Sequence, residues 1–390
     1  MKNRIDKLIE FAVRVEEGNN VKELCQEYSK YIEAITPKDL FLIENEQIKK
    51  GETVKAVLQS VDKLINIFYE ALKDYNWEKP KEDSFLYYLM EENKGLLVKL
   101  DSFRVLIKRQ NYEDDRKFII DSLNTFVLYN SHLLKLENIL FPYMEKKAER
   151  FEGLKIMWSL HDEVRDNIKT SISLISEENI NEKELNRVLG KVFFGLRGLV
   201  QKQELIMFPA AVEILDENEF KAMHIQSFEY EFPYIDKPMK PRDTLSSLFK
   251  EENIGEGIIK METGSFTFEQ MEAVINVLPV DITFVNKDDK VAFFSKPNER
   301  IFPRSVAIIG RDVRNCHPPE SVHVVEEILA RFKKGEKDSE SFWLKLKGMF
   351  ILIQYYAVRN DKGDYLGTLE VGQEVSNIKA LEGEKRLLDN

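Results

Sequence analysis

Cysteine and long apolar runs are scarce in this chain, and each scarcity excludes a class of protein. Only Cys25 and Cys316 occur among the 390 residues, far apart, so the chain has no disulfide framework. No run approaches the ~20 apolar residues of a membrane-spanning helix, and the first residues lack the hydrophobic stretch of a signal peptide. These features predict a cytoplasmic protein without a membrane span.

Positively charged residues are also fewer than negatively charged ones. The chain has 57 Lys and Arg residues against 68 Asp and Glu residues, which gives a formal net charge of −11. Binding to nucleic acid without sequence specificity depends on clustered Lys and Arg, so we do not expect a nucleic-acid partner. The length is sufficient for two or three domains with ample cores.

A motif in the first half of the chain occurs twice. Residues 130–145 read Asn-Ser-His-Leu-Leu-Lys-Leu-Glu-Asn-Ile-Leu-Phe-Pro-Tyr-Met-Glu, and residues 202–209 read Lys-Gln-Glu-Leu-Ile-Met-Phe-Pro. Glu137 and Glu204 each stand five residues before a proline, which we expect to end the helix. Two helix hairpins of similar build predict a pseudo-duplicated four-helix bundle.

These motifs resemble those of a known family. His132 with Glu137 and Leu-Phe-Pro, followed by Trp-Ser-Leu-His161-Asp-Glu-Val-Arg165, is similar to the hemerythrin-like (HHE cation-binding) domain over residues 80–235. The resemblance implies a bundle that holds two irons through histidines on all four helices. It also implies carboxylates one helical turn from two of those histidines, because residues i and i+4 share a helix face.

The ligand set that this resemblance implies is eroded here. Only His132 and His161 remain, and two histidines alone hold no di-iron centre. On an ideal α-helix residue i+5 is turned away from residue i, so Glu92, Glu137 and Glu204 would reach a metal only after rearrangement. Other side chains occupy the remaining expected positions: Ser84, Leu136, Leu199 and Gln203.

The segments on either side of the bundle have different compositions. Residues 1–76 alternate helix-period segments with short breaks and are similar to a helical domain of unknown function that precedes hemerythrin-like and PAS domains. Residues 236–265 contain prolines, glycines and charges with little periodicity, which predicts a linker. Residues 381–390 form a charged C-terminal tail.

The last third of the chain has the pattern of a small sheet with helices. Two strands with a turn at 286–289 precede a helix at 318–334, and three more strands follow at 339–346, 350–359 and 365–374. This order, with Gly310-Arg-Asp-Val and the ending Tyr365-Leu-Gly-Thr-Leu-Glu-Val, resembles a PAS domain over residues 266–380. The resemblance implies an antiparallel five-stranded sheet that cups helices over a ligand pocket.

The predicted pocket helix begins near Cys316, His317 and His323. Haem-binding PAS sensors hold iron through a histidine on this helix, and His323 lies near that place beside apolar residues, so haem is one candidate ligand. In the structural alternative, His317 caps the helix and His323 is packed in the core. The short spacing of the three residues also permits a zinc or redox role.

Together these patterns predict a multidomain α plus α+β protein with a helical N-terminal domain, a four-helix bundle and a PAS domain. We expect a sensor or regulator whose PAS domain binds a small ligand or haem and forms a homodimer, with a protein partner of unknown identity. No catalytic constellation is present, so an enzyme is not expected. One alternative keeps iron in the bundle, for O₂ or NO sensing or iron-centre repair, with ligands His132, His161, Glu137 and Glu204. A second alternative is a cofactor-free interaction scaffold.

Overall fold

The computed structural model describes residues 2–49, 54–147, 153–241, 257–297, 300–346 and 348–384. The chain divides into two compact units, Met1–Leu248 and Phe249–Asn390. The first unit is helical, and the second is built around an antiparallel sheet. Parts of the predicted linker (242–256) and of the predicted tail (385–390) lie outside the described residues. No helix in the described ranges is both long and apolar enough to cross a membrane.

The N-terminal helices form because their apolar residues recur at helical spacing. In the first helix, Leu8, Phe11, Ala12 and Val15 are all buried. These helices contact the bundle helices within one compact unit, so the predicted boundary at residues 76–80 does not separate two compact bodies. They are α1 (Lys2–Glu16), α2 (Val21–Glu27), α3 (Ser29–Ile32), α4 (Pro37–Lys49) and α5 (Val54–Lys73).

The bundle has more helical segments than the sequence predicted. The second helix of the predicted four-helix bundle is divided after α7, where the amides of Leu128 and Tyr129 donate to carbonyls three residues back and tighten the chain. The segments are α6 (Phe85–Arg109), α7 (Tyr112–Val127), α8 (Asn130–Lys135), α9 (Phe141–Lys147), α10 (Gly153–Ile175), α11 (Glu182–Lys202), α12 (Phe208–Ile214) and α13 (Glu217–Ser227).

Two π-helical turns mark the repeated motif. Leu136–Leu140 joins α8 to α9, and Gln203–Met207 joins α11 to α12. The expectation that the following prolines end these helices is wrong, because Pro142 and Pro209 lie near the starts of α9 and α12. Proline is tolerated in the first turn of a helix, where its missing N–H costs no hydrogen bond, and the wider π turn just before it provides such a start.

The predicted linker contains regular structure of its own. Strands β1 (Ile258–Met261) and β2 (Gly264–Thr267) form an antiparallel hairpin that begins inside the 236–265 segment and ends just after it, so the last part of that segment is not irregular. Helix α14 (Phe268–Val277) follows, and Thr267 caps it in a reciprocal capping box with Gln270.

The five-stranded antiparallel sheet confirms the predicted order of elements. Its strands lie in the order β4-β3-β7-β6-β5, and α15 (Pro319–Lys334) connects β4 to β5 along the chain. The strands are β3 (Asp281–Asn286), β4 (Val291–Phe294), β5 (Ser339–Leu346), β6 (Met349–Arg359) and β7 (Tyr365–Glu374). A short helix, α16 (Ser376–Lys379), follows the last strand.

Candidate functional site

The bundle interior contains a carboxylate–histidine pair with a lysine beside it. Glu92 of α6 is fully buried and accepts a hydrogen bond from His132 Nδ1 of α8 over 2.7 Å. Lys135 lies one turn after His132 on the same helix, and its ammonium donates a hydrogen bond to the other carboxylate oxygen of Glu92. The Lys135 ammonium also lies 4.1 Å above the Phe232 ring. All three polar side chains are removed from solvent.

Amide and phenol groups complete the surroundings of His132. The Gln203 side-chain amide lies 2.9 Å from His132 Nε2. Asn93 Nδ2 donates to Gln203 Oε1 over 2.9 Å, and the Tyr129 hydroxyl donates to Asn93 Oδ1 over 2.7 Å. The Tyr129 ring stacks on the imidazole at 4.4 Å between centroids. Glu92, Gln203 and the Tyr129 ring together fix the orientation of His132.

A second carboxylate–histidine pair lies in the same bundle and has an arginine beside it. His161 Nδ1 of α10 donates to Glu137 Oε1 over 2.7 Å, and Arg165 Nη2 donates to Glu137 Oε2 over 2.9 Å. Arg165 also donates to Asp162 over 2.9 Å and to Asn130 over 2.7 Å. The two pairs therefore have the same composition: one carboxylate, one imidazole and one cationic side chain.

Burial determines the protonation of these groups. It lowers the pKa of His132 and of His161 below the ordinary value of 6.5, although Glu92 and Glu137 oppose the shift. Burial also raises the pKa of Glu137, but His161 and Arg165 more than reverse this, and the net shift is downward. Burial thus favours the neutral form of both histidines, and His161 and Arg165 favour the ionised form of Glu137.

The first π turn explains why one prediction about this site was wrong. We expected Glu137 to be turned away from His132, as residue i+5 is on an ideal helix. Instead, the wide turn at Leu136–Leu140 directs Glu137 into the interior, where it is 1% exposed. Glu204, just inside the second π turn, lies at the edge of the network, with Oε1 3.4 Å from Asn93 Nδ2.

The substituted ligand positions have ordinary structural roles. Ser84 is the N-cap of α6 and accepts a hydrogen bond from the Tyr87 amide. Leu136 and Leu199 are buried core residues. His224, in α13, is half-buried and stacked on Tyr88.

In the sheet unit, the three predicted site residues Cys316, His317 and His323 have different surroundings. His323 is exposed, so the expectation that it faces an apolar interior or packs in the core is wrong; the 3.6-residue period leaves it on the outer side of the helix. His317, just before the helix, is partly buried, and burial lowers its pKa, with Glu370 and Arg304 as charged neighbours. Cys316 is partly buried, with Sγ 3.8 Å from the Asp312 carbonyl oxygen.

The sequence did not identify the polar cluster around His317. Arg304 Nη2 donates to Glu370 Oε1 of β7 over 2.5 Å, and the two side chains are 16% and 13% exposed. Tyr355 of β6 lies directly across from Glu370, and burial raises its pKa. The Arg304 Nε atom is buried and has no hydrogen-bond partner among the described residues. A charged residue inside a strand, Glu370 in the Thr-Leu-Glu-Val stretch, was the signal available in the sequence.

Comparison with known families decides what these two units are. A model of the hemerythrin HHE cation binding domain matches residues 84–219, and a model of the PAS domain matches residues 271–376. The chain combines a hemerythrin HHE domain with a PAS domain. No curated protein matches the chain.

Solved structures similar to the chain include three bacterial proteins. A C-terminal domain from Streptococcus mutans is 30% identical, with a TM-score of 0.32, covering 33% of this chain and 98% of that one. A PAS domain from Colwellia psychrerythraea is 15% identical, with a TM-score of 0.23 and coverage of 28% and 97%. A sensory box sensor histidine kinase from Vibrio cholerae is 13% identical, with a TM-score of 0.21 and coverage of 27% and 88%.

The donor atoms of the HHE domain do not fit a di-iron centre. His161 Nε2 has no partner among the described residues and is able to coordinate a metal, but the neighbouring donors are engaged. His132 Nε2 faces an amide, and Glu92 and Glu137 each bind a cationic side chain. No cluster of three or more His, Cys, Asp or Glu residues with the geometry of a metal site occurs in the described ranges.

Proposed function

We propose that this chain is a non-enzymatic sensory protein in which the PAS domain receives a small polar ligand and the HHE domain acts as a scaffold or partner module. The carrying observation is that the Arg304 guanidinium of the PAS domain has a buried donor without a partner among the described residues. Glu92 and Glu137 of the HHE bundle, in contrast, each contact a cationic side chain.

The chemistry of the PAS cluster favours a ligand with hydrogen-bonding groups. A guanidinium has five N–H donors, and Arg304 uses one of its nitrogens on Glu370. A buried donor without a partner costs about 1–3 kcal/mol, which a ligand acceptor would recover. His317 and Tyr355 supply further polar groups beside the same ion pair. A ligand that accepts hydrogen bonds from Arg304 therefore suits this interior.

Haem is the alternative ligand. His323 is exposed, so His317 is the imidazole that borders the charged interior. A haem bound there would bury a large apolar ring against Arg304 and Glu370, which disfavours it relative to a compact polar ligand. A visible absorption spectrum separates the two, because haem gives a Soret band and a small polar ligand gives none.

Native mass spectrometry of the full chain tests this proposal. We expect a non-covalent adduct of small mass on the purified protein, lost in Arg304→Met and retained in the matched surface variant Arg331→Met. A chain without any adduct, or one whose adduct survives in Arg304→Met, would contradict the ligand proposal.

The same spectra test a homodimer through the PAS sheet face on which Trp343 is 66% exposed. We expect Trp343→Ser to shift the mass from dimer to monomer.

A further inference from the structure

We propose that Lys135 and Arg165 are the resident cations of this HHE domain: two side chains that permanently neutralise the buried carboxylate–histidine pairs and make the bundle independent of metal. The inference concerns the bundle alone and goes beyond the ligand proposal for the PAS domain. It follows from the placement of the two charges, from the burial of Lys135 and of both carboxylates, and from the way the sequence positions the two cations.

Each buried carboxylate is paired with a cationic side chain. Glu92 and Lys135 form one ion pair with side chains 0% and 1% exposed, and neutral His132 adds no charge. Glu137 and Arg165 form the other at 2.9 Å, with neutral His161 beside them. An isolated carboxylate is very costly to bury, so each of these glutamates requires a positive partner. A lysine and an arginine supply that charge here.

The same arrangement opposes a metal ion. A metal bound to Glu92 would displace the Lys135 ammonium, which is buried in the core above the Phe232 ring. The displaced ammonium would then be a buried cation without a partner. At Glu137 a metal would have to displace Arg165, whose side chain is 27% exposed but is also held by Asn130 and Asp162.

Lys135 and Arg165 occupy similar positions in the sequence relative to a buried histidine. Each lies one helical turn after a buried histidine on the same helix: Lys135 three residues after His132, and Arg165 four residues after His161. Each carboxylate comes from a different segment, Glu92 from α6 and Glu137 from the π turn after α8. Both pairs were therefore built in the same way, which argues against a chance contact.

A double-mutant cycle on the full chain tests this. The variants are Lys135→Met, Glu92→Gln and the two combined, with exposed Lys117→Met as the control, and the helical signal at 222 nm is followed on heating. We expect Lys135→Met to lower the melting temperature by roughly 10 °C. The combined variant should regain at least half of that loss, because it leaves no buried charge unpaired. EDTA should leave the melting temperature of the unaltered chain unchanged.

Two results would overturn the proposal. One is additivity, with the combined variant losing the sum of the single losses, since this would show that Glu92 and Lys135 do not compensate each other. The other is a fall in the melting temperature of the unaltered chain on adding EDTA. If Lys135→Met does not fold, the combined variant decides: a folded protein supports the proposal, and an unfolded one beside a folded Glu92→Gln contradicts it.

Discussion

At the scale of single residues, the buried histidines set the acid stability of the helical unit. His132 and His161 are fully buried, and burial lowers both pKa values. The unfolded chain keeps ordinary histidine pKa values near 6.5. Below that pH the unfolded state therefore binds more protons than the folded state, and acid favours unfolding. Glu137, with its lowered pKa, adds a second loss only below about pH 4.5.

The lowered pKa values of His132 and His161 lead to a prediction about stability and pH. The free energy of unfolding of the helical unit should fall by roughly 1–2 kcal/mol per histidine between about pH 7 and pH 5. Urea titrations followed at 222 nm measure it. His161→Gln, which keeps a donor for Glu137, should show a smaller fall over the same range. Equal pH dependence in the two proteins would contradict the assignment of a neutral, buried His161.

The burial of Lys135 could not be predicted from the residue pattern around it. This residue stands among Leu133, Leu136 and Leu140, and a lysine inside an apolar stripe can either extend to solvent or enter the core. The choice depends on Glu92, more than forty residues earlier in the chain. The pairing of Arg165 with Glu137 was equally hidden, because it requires the π turn.

At the scale of elements, the predicted bounds agreed best with the structure where an alternating apolar–polar strand pattern is bordered by a glycine turn. The predicted bounds of β5 and β7 match the structure, since glycines with positive φ, Gly348 and Gly363, stand in the turns after β5 and before β7. The hairpin at Ile258–Met261 and Gly264–Thr267 was missed because its composition is that of a linker. The π turns were missed because a 3.6-residue period contains no sign of them.

The turn between β3 and β4 provides a prediction at this scale. Asp289 has a positive φ of 61° and is 6% exposed, and its carboxylate contacts Arg314 at 2.8 Å and Lys333 at 2.6 Å. Both cations are partly solvated, so their contribution is modest. Asp289→Ala should destabilise the PAS domain by about 2 kcal/mol through the lost ion pairs and the strained φ.

Hydrogen exchange of peptides from β3 and β4, read by mass spectrometry, measures this locally. Asp289→Asn, which tolerates the left-handed conformation, should cost less than Asp289→Ala. Asp288→Ala, at the exposed neighbouring position, is the matched control and should leave exchange unchanged. Protection in Asp289→Ala equal to that of the control would contradict the role given to this turn.

At the scale of the whole molecule, the two domains differ in how their buried charges are paired. In the HHE bundle Glu92 and Glu137 each contact a cationic side chain, and in the PAS domain a donor of Arg304 has no partner within the part of the chain that the structure describes. The family and the fold could be predicted from the motifs of each unit. The balance of charge in the two interiors could not, because it depends on contacts between residues far apart in sequence.

Elemental analysis of the full chain, purified from iron-supplemented cells, tests the central claim most directly. If Lys135 and Arg165 neutralise the bundle, the unaltered protein should carry no stoichiometric non-haem iron, and its helical signal should be the same before and after dialysis against a chelator. Stoichiometric non-haem iron that is lost in His161→Ala would show that the bundle holds a metal despite its internal cations, and would contradict the account.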